Sequence, residues 1–375
     1  MHVINAAASG KPARLSSLDI FRGITIAVMI TVNNPGIETH VYPILEHAGW
    51  NGLTLADLVF PSFIFIMGVS IVLSYSGQQA KGLPTSTMLR KTFRRAFILF
   101  ALGVFLSILP YFDISNYRIP GVLQRIALVY AACVPLFLFS TWKTQARLAA
   151  FLLIGYWLLM TLVPVPGYGH SILEPGRNLA AWLDARVIPG RLWQVTWDPE
   201  GILSTLPAIA SGICGMLAGQ LLRTTLPPER KVIFLYLAGF TAFALANAWN
   251  LCFPINKNLW TSTFVLYVGG LDSMLLASLY FLVDLRQKQK GLGWARAFGA
   301  NAIAAYLIAE ALGDILTFRP GDHEHGTSIT DWLMNKLLIA GCNPEIASLL
   351  WAIFFTGLCF IPIRLLYRKK IFLKI

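Results

Sequence analysis

Roughly ten stretches of this 375-residue chain are apolar for long enough to cross a lipid bilayer, and this constrains its fold more than any other feature. A helix needs about 20 apolar residues to span about 30 Å of hydrocarbon. The stretches are approximately 18–34, 53–76, 92–110, 120–140, 147–164, 201–222, 231–252, 259–283, 298–318 and 344–367. A transmembrane β-barrel would instead alternate over segments of about 10 residues. The sequence therefore predicts an all-α polytopic bundle of about ten transmembrane helices in one membrane domain over residues 1–375. Its longer outer loops are 165–200 and 319–343.

Charge is scarce, at 13% of residues, where soluble domains carry about 25%. Hydrophobic residues make up 56%, which excludes a disordered chain. The net charge of +12 invites a nucleic-acid reading, but the placement of the basic residues argues against that partner. More than two thirds of the 30 basic residues fall in alternate connections and the two ends. By the positive-inside rule this predicts cytoplasmic termini, with the bilayer as the chain's solvent. No small-residue cleavage site follows the first run, so it reads as a retained span rather than a leader. The five cysteines make no disulfide framework.

Ionisable groups inside membrane spans are costly and mark candidate sites. Asp57, Arg125, Asp272, Glu310 and Asp314 are such groups, and most fall in the outer half of the bilayer. Asn33 and Asn34 close the first span there, His47 lies in the first outer loop, and Asn256, Lys257 and Asn258 follow the seventh span. Together they suggest an outward polar cavity. The plain alternative is packing, with Arg125 paired to a carboxylate such as Asp57. Asp198-Pro199-Glu200-Gly201 opens the sixth span and reads as a helix cap. Asp322, His323, Glu324 and His325 alternate possible ligands without metal-site spacing, so no metal is expected. Trp182, Trp193 and Trp197 read as an aromatic belt around a short interfacial helix at 178–188.

The opposite face is basic. Arg90, Lys91, Arg94 and Arg95 crowd about one helical turn, and Asp19 with Arg22 forms an i,i+3 pair. Topology anchoring accounts for the cluster on one reading and a phosphate site on the other. A phosphorylated donor inside and a polar acceptor outside would suit both faces.

Several motifs then carry a resemblance. Ser17-Leu18-Asp19-Ile20-Phe21-Arg22-Gly23 and the run His47-Ala48-Gly49-Trp50-Asn51-Gly52-Leu53-Thr54-Leu55-Ala56-Asp57-Leu58-Val59-Phe60-Pro61 resemble signatures of one family. This is the transmembrane acyltransferase family that includes heparan-α-glucosaminide N-acetyltransferase and its bacterial relatives. Arg118 to Arg125, Asp198 to Gly201, Asn256 to Trp260, and Asn301 with Tyr306 and Glu310 resemble further motifs, in order, from about 14 to 370.

The resemblance implies an acyl-CoA-dependent N-acetyltransferase that takes acetyl groups from cytosolic acetyl-CoA. The acceptor it implies is an amino sugar beyond the membrane, glucosamine-like in a bacterium, and the location it implies is the bacterial inner membrane. It places the catalytic histidine on His47 and the span-closing asparagine on Asn33. The loop between them is a few residues longer than in the family, and Ala309 replaces a histidine of the animal members. On this reading His47, Asn33 and Asp57 are catalytic, as base (or acetyl carrier), oxyanion donor and histidine partner. Arg22, Lys91, Arg94, Arg95, Gln124 and Arg125 are expected on the cofactor. Asn51, Asn256, Lys257, Asn258, Asp272 and Glu310 are expected on the sugar. A transporter without acyl transfer is the competing class, and a homodimer stays open.

Overall fold

The computed structural model describes residues 15–108, 117–318 and 327–373. Lys11, Arg14 and the 322–325 group lie outside these. Thirteen helices follow in order: α1 Ser16–Asn33, α2 Leu55–Ala80, α3 Thr85–Ile108, α4 Val122–Phe139, α5 Trp142–Leu162, α6 Leu179–Val187, α7 Thr205–Arg223, α8 Pro228–Trp249, α9 Ser262–Leu279, α10 Gly293–Ala300, α11 Ala302–Thr317, α12 Ile329–Ile339 and α13 Pro344–Arg368. A π-helical turn, Tyr280–Leu285, extends α9.

Each predicted apolar run overlaps helix within the described residues. Among the described residues eight helices are long and apolar enough to cross a bilayer, and α10 with α11 makes a ninth if counted as one bent span. The protein is an all-α, multi-pass membrane bundle. The remaining run lies in α3, whose first half carries Arg90, Lys91, Arg94 and Arg95. The apolar part of α3 within the described residues is too short to span alone.

The bundle is built around α2, which packs on α1, α4, α7 and α9, while α8 faces outward over most of its surface. Several helix starts have their amides satisfied by side chains, which matters where lipid offers no partners. Leu15 precedes α1 and offers no capping oxygen, so Asp284 of the π turn receives the amides of Ser16 and Ser17 at 3.1 and 3.2 Å. Thr261 and Asn343 cap α9 and α13 from their own side chains.

The run 298–318 departs from the single span that its apolarity predicts. The chain bends by 86° at Asn301, between α10 and α11. The cause is close packing of α10 on α1. A Cβ on Gly23 would stand 1.7 Å from the Ala295 carbonyl oxygen, and one on Gly299 would stand 1.7 Å from that of Asp19. Only glycine permits this approach. It presses α10 flat on α1 and forces the chain to turn before α11.

Candidate functional site

The loop from α1 to α2 ends in a compact hydrogen-bond node on Asp57. This carboxylate occupies the third position of α2 and reaches back to the Thr54 amide at 3.1 Å, as in a capping box. Its Oδ2 also accepts from the Ala48 amide at 3.0 Å and the Thr54 hydroxyl at 3.1 Å. Its Oδ1 lies 2.8 Å from His47 Nδ1 and 3.3 Å from Lys257 Nζ. Asp57 itself is buried.

These contacts assign the histidine tautomer. A carboxylate surrounded by donors acts only as an acceptor, so Nδ1 must hold the hydrogen and donate it. The Lys257 ammonium, 3.0 Å from the same Nδ1, also only donates, so its partner is Asp57. The lone pair of the ring is left on Nε2. The imidazole is half exposed, which leaves that nitrogen open to an incoming group. Burial lowers the pKa of Lys257, while Asp57 and Glu200 oppose the shift.

Two further loops hold this node. Asn256 is buried, its Nδ2 donates to Asn51 Oδ1 at 3.1 Å, and its Oδ1 accepts from the Leu259 amide at 2.8 Å. The Gly52 amide donates to the Ile255 carbonyl at 2.8 Å. Trp50 donates to the Leu173 carbonyl at 2.9 Å and packs edge-on against Trp197 at 5.0 Å. The short helix expected at 178–188 is α6. Its neighbouring tryptophans do more than form a belt, because Trp197 packs on the His47 loop and Trp193 stacks on Arg118 at 4.8 Å.

Asp198 and Glu200 do not cap a helix, since α7 begins later, at Thr205. They clamp Arg118. Its Nε and Nη2 reach the two oxygens of Asp198 at 2.8 and 2.7 Å, and Nη2 also reaches Glu200 at 2.6 Å. Burial would lower the Arg118 pKa, but the bonds to Asp198 and the charge of Glu200 outweigh it and the net shift is upward. Burial raises the Glu200 pKa against the pull of Arg118, Arg125 and Lys257. A Cβ on Gly201 would stand 1.8 Å from the Asp184 carboxylate, so glycine is required where this loop crosses α6.

A cavity of about 350 Å³ lies between α1, α2, α3, α4 and the α10–α11 bend. Arg22, Arg95 and Tyr306 of α11 are among the residues that line it. Arg22 pairs with Asp19 at 3.4 Å, and donates to Ser70 Oγ at 2.7 Å and the Gly299 carbonyl at 3.2 Å. Arg95 stacks on Tyr130 at 5.2 Å. The Tyr130 hydroxyl meets that of Tyr75 at 2.7 Å, and Tyr75 meets Thr92 at 2.6 Å. Glu310 follows Tyr306 by four residues on α11, one helical turn away. Eleven residues of α1, about 16 Å of helix rise, separate Arg22 from Asn33, near whose end the His47 loop begins.

Thus the fold brings His47, Asp57 and Lys257 together, joins Asn51 to Asn256, and sets Arg22 with Arg95 on one cavity. Other expected residues sit elsewhere. Lys91 and Arg94 are exposed on α3 and do not line the cavity. Gln124 packs beside Gly103 and Gly121. Arg125 is buried under Trp260 at 5.0 Å and donates to the Gly201 carbonyl at 3.0 Å and to Ser204, rather than pairing with Asp57. Asp272 is buried and accepts from Ser62 at 2.6 Å, apart from the bonds of the His47 node. Asn33 is exposed at the end of α1, Asn258 is half buried, and neither side chain has a hydrogen-bond partner among the described residues. Among the described residues no group of three or more His, Cys, Asp or Glu could hold a metal.

Sequence reasoning missed the Arg118 clamp and the buried Tyr130–Tyr75–Thr92 chain. Arg118, Asp198 and Glu200 were visible as motif residues. Their pairing crosses 80 positions of chain, which no local spacing reveals.

Residues 14–231 match the family described as heparan-alpha-glucosaminide N-acetyltransferase, catalytic. The chain is 31% identical to the human protein named heparan-alpha-glucosaminide N-acetyltransferase, over 98% of this chain and 61% of that one. It is 30% identical to the mouse protein of that name, over 96% and 60%. The chain thus spans about 60% of the length of these relatives. With the family match covering more than half of the chain, including His47, Asp57 and the Arg118 clamp, the protein belongs to the heparan-alpha-glucosaminide N-acetyltransferase catalytic family.

Proposed function

We propose that the protein is a transmembrane N-acetyltransferase of the bacterial inner membrane. It takes an acetyl group from acetyl-CoA on the cytoplasmic side, where both termini lie, and passes it to the amine of a glucosamine-like sugar on the outer side. The observation that carries this reading is the His47–Asp57 pair, with Nδ1 donating to a buried carboxylate at 2.8 Å and Nε2 open.

The amine must lose a proton as it attacks, and a neutral imidazole nitrogen within reach is suited to take it. The sugar nitrogen attacks the thioester carbonyl carbon, a C–N bond forms and the C–S bond breaks. The amine proton passes to Nε2, and the thiolate leaves and is protonated as free CoA. Asp57 keeps the ring oriented and stabilises the imidazolium. The unpartnered amide of Asn33 is available for the developing oxyanion. Lys257 balances the charge on Asp57 and presents its remaining donors to the sugar, beside Asn258 and the Asn51–Asn256 pair. Arg22 and Arg95 offer their cations on the cavity wall to the donor.

Sidedness tests this reading. Oriented vesicles receive acetyl-CoA on the face of the α3 arginines and labelled glucosamine on the other. N-acetylated sugar should form on the His47 side. Uptake of unmodified sugar without acetyl-CoA would instead support transport.

A further inference from the structure

A second cavity, of about 570 Å³, opens between α5, α7, α8 and α9, and none of the residues of the His47 node lines it. It originates in the crossing of α8 on α9. A Cβ on Gly239 would stand 2.7 Å from the Gly270 carbonyl oxygen, and one on Gly270 would stand 2.6 Å from that of Gly239. The two backbones meet there, as glycine allows. Thus α8 follows α9 and touches α7 little, while α5 packs on α7 and stands apart from α8. The gap between α5 and α8 is the cleft, with α7 and α9 as its floor.

The wall changes character along its length. Leu217, Leu235, Ala242 and Leu266 make the depth apolar, whereas Trp142, Gln220 and Thr224 stand where α5 begins and α7 ends. Ten residues, about 15 Å of helix rise, separate Thr224 at this rim from Cys214 in the depth. That is one leaflet, half of about 30 Å of hydrocarbon. Cations flank the rim. The Lys143 ammonium lies 5.8 Å over the Trp142 ring, Arg147 Nε donates to the Lys143 carbonyl at 3.3 Å, and Arg223 precedes Thr224. All three are exposed. Lys231 Nζ donates to the Leu222 carbonyl at 2.8 Å, which uses one of its three hydrogens. Glu229, at the start of α8, offsets one of these charges.

We propose that this cleft binds an anionic phospholipid, with one acyl chain lying along α7 and the phosphate at the Lys143–Arg223 rim. An acyl chain suits a slot that is apolar, parallel to the helices and one leaflet deep. Phosphate oxygens are acceptors, and the rim side chains are charged donors. Basic pockets between spans hold anionic head groups in the same way. A soluble anion would use the rim and leave the apolar depth unused. A second copy of the chain would meet this face by two-fold symmetry and bring its own cations against the same rim. The lipid bridges α5, α7 and α8, so its binding stabilises the bundle. The site is independent of acetyl transfer.

The test is native mass spectrometry of the full chain, released from micelles that hold equal amounts of dioleoyl phosphatidylglycerol and dioleoyl phosphatidylcholine. The wild type should retain phosphatidylglycerol, favoured by about tenfold or more. Lys143→Gln with Arg147→Gln and Arg223→Gln alters exposed side chains, so the fold should hold. This variant should still retain lipid, with the preference reduced to about threefold or less. Ala242→Phe fills the depth from a half-buried position and should lower retention of both lipids by about tenfold or more. Ala146→Phe fills the rim end from α5, should act alike, and serves where Ala242→Phe fails to fold. Equal retention of the two lipids by the wild type overturns the anionic assignment. Undiminished retention by the folded phenylalanine variants overturns the cleft as the site. Displacement of the lipid by equimolar glycerol 3-phosphate makes the rim a soluble-anion site, and a lipid-free mass of two chains gives the cleft to a second copy. Either result overturns the proposal.

Discussion

His47 Nδ1 and Asp57 Oδ1 lie 2.8 Å apart, with the carboxylate buried and the imidazole half exposed. One partner is therefore fixed by five donors, and the other is free to work on its remaining nitrogen. Asp57→Asn keeps the size of the side chain but brings an amide that can donate to Nδ1 and favour the opposite tautomer. Acetyl transfer should fall by about 10²- to 10⁴-fold in kcat, with little change in acceptor KM. Steady-state kinetics in detergent would check this. An unchanged kcat would detach Asp57 from the chemistry.

The Arg118 clamp should be structural. Arg118→Ala leaves Asp198 and Glu200 buried without their cation, a loss of about 3–5 kcal/mol. Arg118→Lys keeps the charge but loses the two-pronged geometry, and should recover part of that loss. Thermal unfolding of the three proteins should rank wild type above Lys above Ala.

Stability should depend on pH through Asp184, which sits on α6 outside the spans. Burial raises its pKa from the usual 3.8 to about 6. The folded state thus holds this proton more tightly than the unfolded state, and stability falls as pH rises from about 4 to about 6. Above that window the buried charge costs on the order of 3 kcal/mol. Asp184→Asn retains an oxygen for the Ile202 amide, which the carboxylate accepts at 2.9 Å. The variant should match wild type near pH 4 and unfold at a higher temperature at pH 7. Equal melting temperatures at pH 7 would contradict the shift.

Gly23 tests the contact that bends the chain. A methyl group there meets the Ala295 carbonyl. Gly23→Ala should separate α10 from α1, disturb the Arg22–Gly299 bond and cost about 1–3 kcal/mol. Donor affinity should fall with stability, which a thermal-shift titration with CoA would record.

The helices were legible in the sequence because lipid demands length and apolarity, and each predicted run overlaps helix within the described residues. His47 with Asp57 was legible too, since the nine intervening residues can fold into one loop and return to the start of α2. Asn301 was not legible as a break. The run around it is apolar enough to read as one span, and the break lies beside glycine contacts with α1, distant in sequence. Arg125 was misplaced for a similar reason. Charge at that depth suggested a ligand or an ion pair, but Trp260, the Gly201 carbonyl and Ser204 enclose it. Lys91 and Arg94 share a short run with Arg95, yet helical geometry turns only Arg95 toward the cavity.

The central claim is that His47 accepts the amine proton during acetyl transfer. Its most direct measurement is the release of free CoA thiol from acetyl-CoA on adding glucosamine, comparing wild type with His47→Ala in nanodiscs. The account predicts glucosamine-dependent release by the wild type and a loss of about 10²-fold or more in the variant. Release by His47→Ala at the wild-type rate would contradict it.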